Sequence, residues 1–140
     1  MGRREQREQI FKLLFRVEFN TLEEMPEQLR LFFEEADEPV AEADEQYITG
    51  KYEKIMEKLS EIDGLLNEKT EKWSTDRMGK AELTILRLAV YEILYMEDIP
   101  RRVSINEAVE IVKTYDMAPA ASFTNGVLGK IGEIEDGDKE

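Results

Sequence analysis

Ile10, Leu13, Leu14 and Val17 recur at i, i+3, i+4 and i+7, the spacing that lays one apolar stripe along an α-helix. The stripe predicts a first helix over about residues 3–19. Asn20 and Thr21 then read as turn and cap, and Pro26 suits the first turn of a second helix ending near Glu35. Residues 34–45 are acidic and carry Pro39, the pattern of a solvated connection. A third helix follows, with Tyr47, Ile48, Tyr52, Ile55, Met56, Leu59 and Ile62 at helical spacing. Gly50 weakens that pattern locally, and Gly64 is expected to interrupt it before Leu65 and Leu66.

Residues 73–79 read as an irregular stretch. Leu83, Leu86, Val90, Ile93 and Leu94 then mark a strong helix that must stop before Pro100. Ser104 and Glu107 have the S-x-x-E spacing of a capping box and are expected to open the next helix, with Ile105, Ala108, Val109 and Val112 as its apolar face. Pro119 suits the start of a last helix carrying Phe123, Val127, Leu128 and Ile131. The acidic tail over residues 133–140 reads as frayed. No strand alternation and no internal repeat occur. The fold class is all-α, with about seven helices.

Composition narrows the chemistry. The 140 residues suffice for one domain with a real core, and 41% apolar with 36% charged residues argues against disorder. No apolar run nears the ~20 residues of a membrane span, and no signal core follows the N-terminal arginines, so a cytoplasmic protein with no membrane partner is expected. The chain has neither Cys nor His. Disulfides, thiolate nucleophiles, His general bases and ordinary zinc sites therefore cannot be built. No paired-carboxylate motif stands out from the remaining acids. The expectation is a binding protein, with no catalytic residues, no metal and no cofactor.

The net charge of −13 is an average over unlike segments. Residues 1–16 hold five basic side chains against two acidic ones; residues 17–72 hold six against seventeen; residues 73–140 hold eight against thirteen. Fields are screened beyond about 10 Å in salt, so a small basic site on an acidic body is physically allowed. Arg3 and Arg7 extend the stripe of the first helix toward its N-terminus. A guanidinium pair is not buried there without partners, so that end should overhang the core, facing solvent or an anion. Phe11 and Phe15 form a second stripe at i, i+4, suited either to core packing or to stacking on a base or a protein partner. Arg87 reads as half of a salt bridge to a helix carboxylate. Asn125 and Gly126 are poor formers inside a helix, which suggests a close helix approach or a cap.

Three blocks carry a resemblance: ILRLAVYEILYMEDIP from Ile85, INEAVEIVKTYD from Ile105 and FTNGVLGKI from Phe123. With the basic opening that leads into QIFKLLFRVEF, they resemble the NusB family over nearly the whole chain. The resemblance implies one domain over residues 1–140, with approximate helical halves at 1–70 and 71–132 and an acidic tail at 133–140. It implies an RNA-binding transcription antitermination factor that binds the single-stranded boxA element of ribosomal RNA leaders. The implied partners are NusE, a small-subunit ribosomal protein, and an RNA polymerase antitermination complex with other Nus factors. Arg3, Arg4 and Arg7 would contact phosphate, and Phe123 would flank the RNA path. Ser122 stands where the family often has Lys, which implies one phosphate contact fewer. Phe15 stands where the family often has Tyr at the partner surface, and Asp76 and Glu82 match acidic positions around the NusE contact. Monomer and homodimer both stay open. Two other readings compete: a module that positions RNA for a modifying enzyme, since NusB-like domains occur fused to RNA cytosine methyltransferases, and a protein-interaction bundle that binds no RNA.

Overall fold

The computed structural model describes residues 1–69, 78–115 and 121–139, with side chains described as far as residue 131 in the last segment. The described residues form seven α-helices: α1 (Arg3–Phe15), α2 (Met25–Glu34), α3 (Glu42–Glu57), α4 (Leu59–Lys69), α5 (Lys80–Tyr95), α6 (Arg101–Thr114) and α7 (Ala121–Lys139). The described residues contain no strand, so the all-α class holds. The chain divides into two compact units, Met1–Glu57 and Lys58–Glu140.

In the first unit α1 packs on α3, and a 3-10 turn (Arg16–Glu18) extends α1 and meets α2. Ile10, Leu13, Ile48 and Ile55 are fully buried there. Each such side chain contributes about 1.5–3 kcal/mol relative to an exposed one. The turn before α2 is closed by a reciprocal box: the Thr21 N–H donates to Glu24 Oε1 at 2.9 Å, and the Glu24 N–H donates to Thr21 Oγ1 at 3.3 Å. The Thr21 N–H also holds the Glu24 carboxyl below its ordinary pKa. Pro26 falls in the first turn of α2, where its missing N–H is no loss.

In the second unit α5 is the central helix, contacted by α4, α6 and α7. Its buried residues run all round its circumference, from Leu83 to Ile93, as a helix enclosed by others requires. Arg87 donates through Nε and Nη2 to the two oxygens of Asp63 at 2.9 and 2.8 Å, a bidentate fork joining α5 to α4.

Three boundaries differ from those expected. Gly64 does not interrupt a helix; it lies within α4, exposed, and the break comes at Lys58. A single exposed helical glycine costs only about 1 kcal/mol, which the burial of Ile62 and Leu66 on the same helix exceeds. Ser104 is no cap. α6 begins three residues earlier at Arg101, after Pro100 at φ −58° and ψ 136°, and the Pro100 carbonyl accepts the Val103 N–H at 2.9 Å. The Ser104 hydroxyl points inward and donates to Glu92 Oε1 at 2.8 Å, with both residues 1% exposed. A buried carboxylate demands donors more strongly than a helix terminus open to water does. That inward turn rotates the buried face of α6 to Ser104, Ala108, Ile111 and Val112, leaving Ile105 and Val109 half-buried. The tail that composition reads as frayed continues α7 to Lys139, since extending an existing helix needs no new nucleus.

Thr124 on α7 is fully buried, and its hydroxyl has no hydrogen-bond partner. Thr124→Val removes that orphan while keeping the shape. The expected result is a gain of about 1–2 kcal/mol in stability, read as a higher thermal midpoint.

Candidate nucleic-acid and partner surfaces

The basic start of α1 has two parts. Arg3 and Arg4 are exposed on its first turn, as expected, whereas Arg7 is only 8% exposed and belongs to the buried side of the helix. The expectation that the whole arginine end overhangs the core is therefore corrected at Arg7. Burial of its stem adds apolar packing, and Arg7 makes an interaction within the protein. The first turn is also tied down: Gln6 Nε2 donates to Asp44 Oδ1 of α3 at 2.9 Å, and the N-terminal ammonium lies 3.6 Å from Asp44 Oδ2. Lys12 is exposed further along α1. Arg16 is not available to a ligand in the same way. Its guanidinium donates to the Gln28 carbonyl and side chain at 3.3 and 3.2 Å and lies 5.2 Å from the Phe32 ring centroid, fixing α2 to the end of α1.

Along the same helix Phe11 is buried and Phe15 half-buried, with ring centroids 6.2 Å apart. The two open alternatives for this stripe thus divide between the residues: Phe11 is core, and Phe15 keeps an outer edge. Phe19 continues the row, edge-on to Phe15 at 5.1 Å, and is 60% exposed; Leu22 beyond it is 71% exposed. The sequence reading missed this extension, although the i, i+4, i+8 spacing of Phe11, Phe15 and Phe19 carries it. The acidic stretch beside it, including Glu23, Glu27, Glu34 and Glu45, is largely exposed. Arg30, the one basic residue of α2, is engaged by Glu27 and Glu34.

In the second unit Ser122 is exposed and Phe123 half-buried at the start of α7. Glu82 is half-buried in the first turn of α5, where a carboxylate complements the helix dipole. Its side chain folds back over Gly79, so that a Cβ at Gly79 would lie 3.7 Å from Glu82 Cδ and Oε1. Part of what Glu82 does is therefore local to the helix start. Asp76 lies outside the described residues. Among the described residues no group of three or more acidic side chains is arranged to hold a metal ion, and no helix is long and apolar enough to cross a membrane.

The described residues, with only helices as regular elements in two compact units, put the chain in the all-helical class. The NusB family model matches residues 4–133, and the chain belongs to the NusB family. It is 48% identical over 130 residues to the transcription antitermination protein NusB of Agathobacter rectalis, covering 93% of this chain and 98% of the relative. Among solved structures it is similar to T. maritima NusB, with a TM-score of 0.83 and 36% identity, covering 95% of this chain and 92% of that one. It is also similar to a chain of the antitermination factors NusB and NusE in complex with dsRNA, with a TM-score of 0.81 and 25% identity over 96% of this chain and 99% of that one.

Proposed function

We propose that this chain binds boxA-type single-stranded RNA of ribosomal RNA leaders together with NusE, and that the pair acts on RNA polymerase in a complex with other Nus factors. As a member of the NusB family it is an RNA-binding transcription antitermination factor. The observation that carries the RNA reading is the exposure of Arg3 and Arg4 on the first turn of α1, within the net-positive segment 1–16 of a chain of charge −13. Phosphates meet cations there, while the acidic body opposes nonspecific binding elsewhere. Phe123, beside Ser122, supplies a ring edge for stacking on a base. NusE contacts Phe15 in the first unit, where the exposed Phe19 and Leu22 enlarge the apolar area, and Glu82 and Asp76 in the second. The protein works in the cytoplasm as a binding factor, not a catalyst.

The test is an RNA titration with and without NusE. Weak binding by the chain alone should tighten by about 5- to 150-fold when NusE is added, the usual range of coupling between two sites. Because coupling is reciprocal, boxA RNA should raise NusE affinity by the same factor. An RNA affinity indifferent to NusE would remove the adaptor reading.

A further inference from the structure

Asn125 and Gly126 weaken α7 locally, and the packing that would account for them is missing. Gly126 is exposed, and a Cβ built on it meets no atom within 4 Å. The expectation of a close helix approach at this step is thereby overturned, and Asn125, also exposed and inside the helix, is no cap. What the pair brings together is a carboxamide and an unhindered backbone nitrogen. No other asparagine of the chain precedes a glycine: Asn20, Asn67 and Asn106 are followed by Thr21, Glu68 and Glu107. The Asn20 amide is engaged as well, donating to the Arg16 carbonyl at 2.8 Å. The surroundings of Asn125 also differ in charge. From Ala121 to Ile131 there is no carboxylate and one lysine, Lys130, exposed one turn beyond Gly126.

We propose that Asn125 is a site of spontaneous covalent modification, at which its side-chain amide is lost through a cyclic imide formed with Gly126. Hydroxide takes the Gly126 N–H proton, and the nitrogen bonds to Asn125 Cγ. The Cγ–Nδ2 bond breaks, and the amide nitrogen leaves as ammonia with a proton from water. Water then opens the five-membered imide: attack at Cγ gives aspartate, and attack at the main-chain carbonyl gives isoaspartate. Glycine permits the first step because no Cβ obstructs the attacking nitrogen. The open space around Gly126 leaves room for the ring, and the lack of nearby carboxylates spares the ionised amide any repulsion. Inside a helix an amide N–H is held by the carbonyl four residues back, so the reaction starts from a transient opening of α7. Such opening costs little here. The pair lies in the first two turns of α7, where the leading amides have no partner within the helix, and both residues are poor formers. Isoaspartate carries the main chain through one extra carbon between Thr124 and Val127, both buried, and so disturbs the packing of α7.

The test is to incubate the folded chain in mildly alkaline buffer and follow each asparagine by proteolysis and mass spectrometry. Asn125 should turn to the acid about tenfold or more faster than Asn20, Asn67 and Asn106. Its rate should rise about tenfold per pH unit, as the fraction of ionised amide does. Gly126→Ala should slow the conversion about tenfold or more. The same change should raise the thermal midpoint by roughly 2–5 °C, since Ala has room here and is the better helix former. Converted protein, separated by its added charge, should melt several degrees below the parent. Asn125→Asp, which carries that charge on an unaltered main chain, should melt near the parent. Conversion led by another asparagine overturns the proposal. So does a Gly126→Ala protein that loses the Asn125 amide at the parent's rate, because attack by that backbone nitrogen would then not be the route.

Discussion

Changing Arg3 and Arg4 together to Ala is expected to weaken binding to boxA-type RNA about 10- to 30-fold near 0.1 M salt, with the fold intact. Both side chains are exposed on the first turn of α1, so their loss opens no cavity. Each phosphate contact to single-stranded RNA contributes about 0.7 to the log–log salt slope, so the pair should lower it by about 1.4. Arg7→Ala should behave in the opposite way. At 8% exposure its stem is part of the packing of α1, so the thermal midpoint should fall by several degrees while the salt slope stays near that of the parent. Titrations at three or more salt concentrations, beside thermal melts, separate the two. A double Arg3, Arg4 variant with the parent's slope would place the phosphate site elsewhere.

A large loss of stability from a single polar change is expected at Arg87. Arg87→Met should cost about 2–3 kcal/mol, because the Asp63 carboxylate, 25% exposed, would lose both hydrogen bonds of the fork. Arg87→Lys should recover only part of that, since an ammonium cannot present two parallel donors to one carboxylate. Chemical denaturation of the three proteins reads the difference directly. Equal stability of Lys and Met variants would mean that charge and geometry at this position contribute nothing, and that the cost lies in packing alone.

These two sites also show where the sequence is and is not legible. That Arg87 pairs with a helix carboxylate follows from its place on a strongly apolar helix, but Asp63, 24 residues earlier, could be named only from the structure. The helices themselves are legible because burial imposes their period: α1, α2, α5 and α7 carry their stripes openly. The break at Lys58 is not. Ile48, Tyr52, Ile55, Leu59, Ile62 and Leu66 keep one phase across it, so nothing in the pattern tells that Ile55 serves one core and Ile62 another. Gly64 marks a break that does not occur because packing outweighs its propensity. The start of α6 was hidden for a related reason: S-x-x-E is a local signal, and the Ser104 hydroxyl is claimed by Glu92, twelve residues away. The site was legible in its charges and less so in its burial. Arg3, Arg4 and Arg7 look alike in sequence, yet the helix phase puts the third inside. At Asn125 and Gly126 the local weakness was legible, but only the empty space around Gly126 tells that the fold does not require it.

The enclosure of α5 sets a hierarchy of opening. Its amide protons are shielded by α4, α6 and α7 together, so they exchange with solvent only when the second unit as a whole comes apart. Amides on the outer side of α7 need only that one helix to loosen. The Phe123 ring proposed to stack on an RNA base therefore lies on an element whose fluctuations leave the centre undisturbed. Occupation by a ligand should slow exchange along α7 first, with α5 already at the limit set by global unfolding.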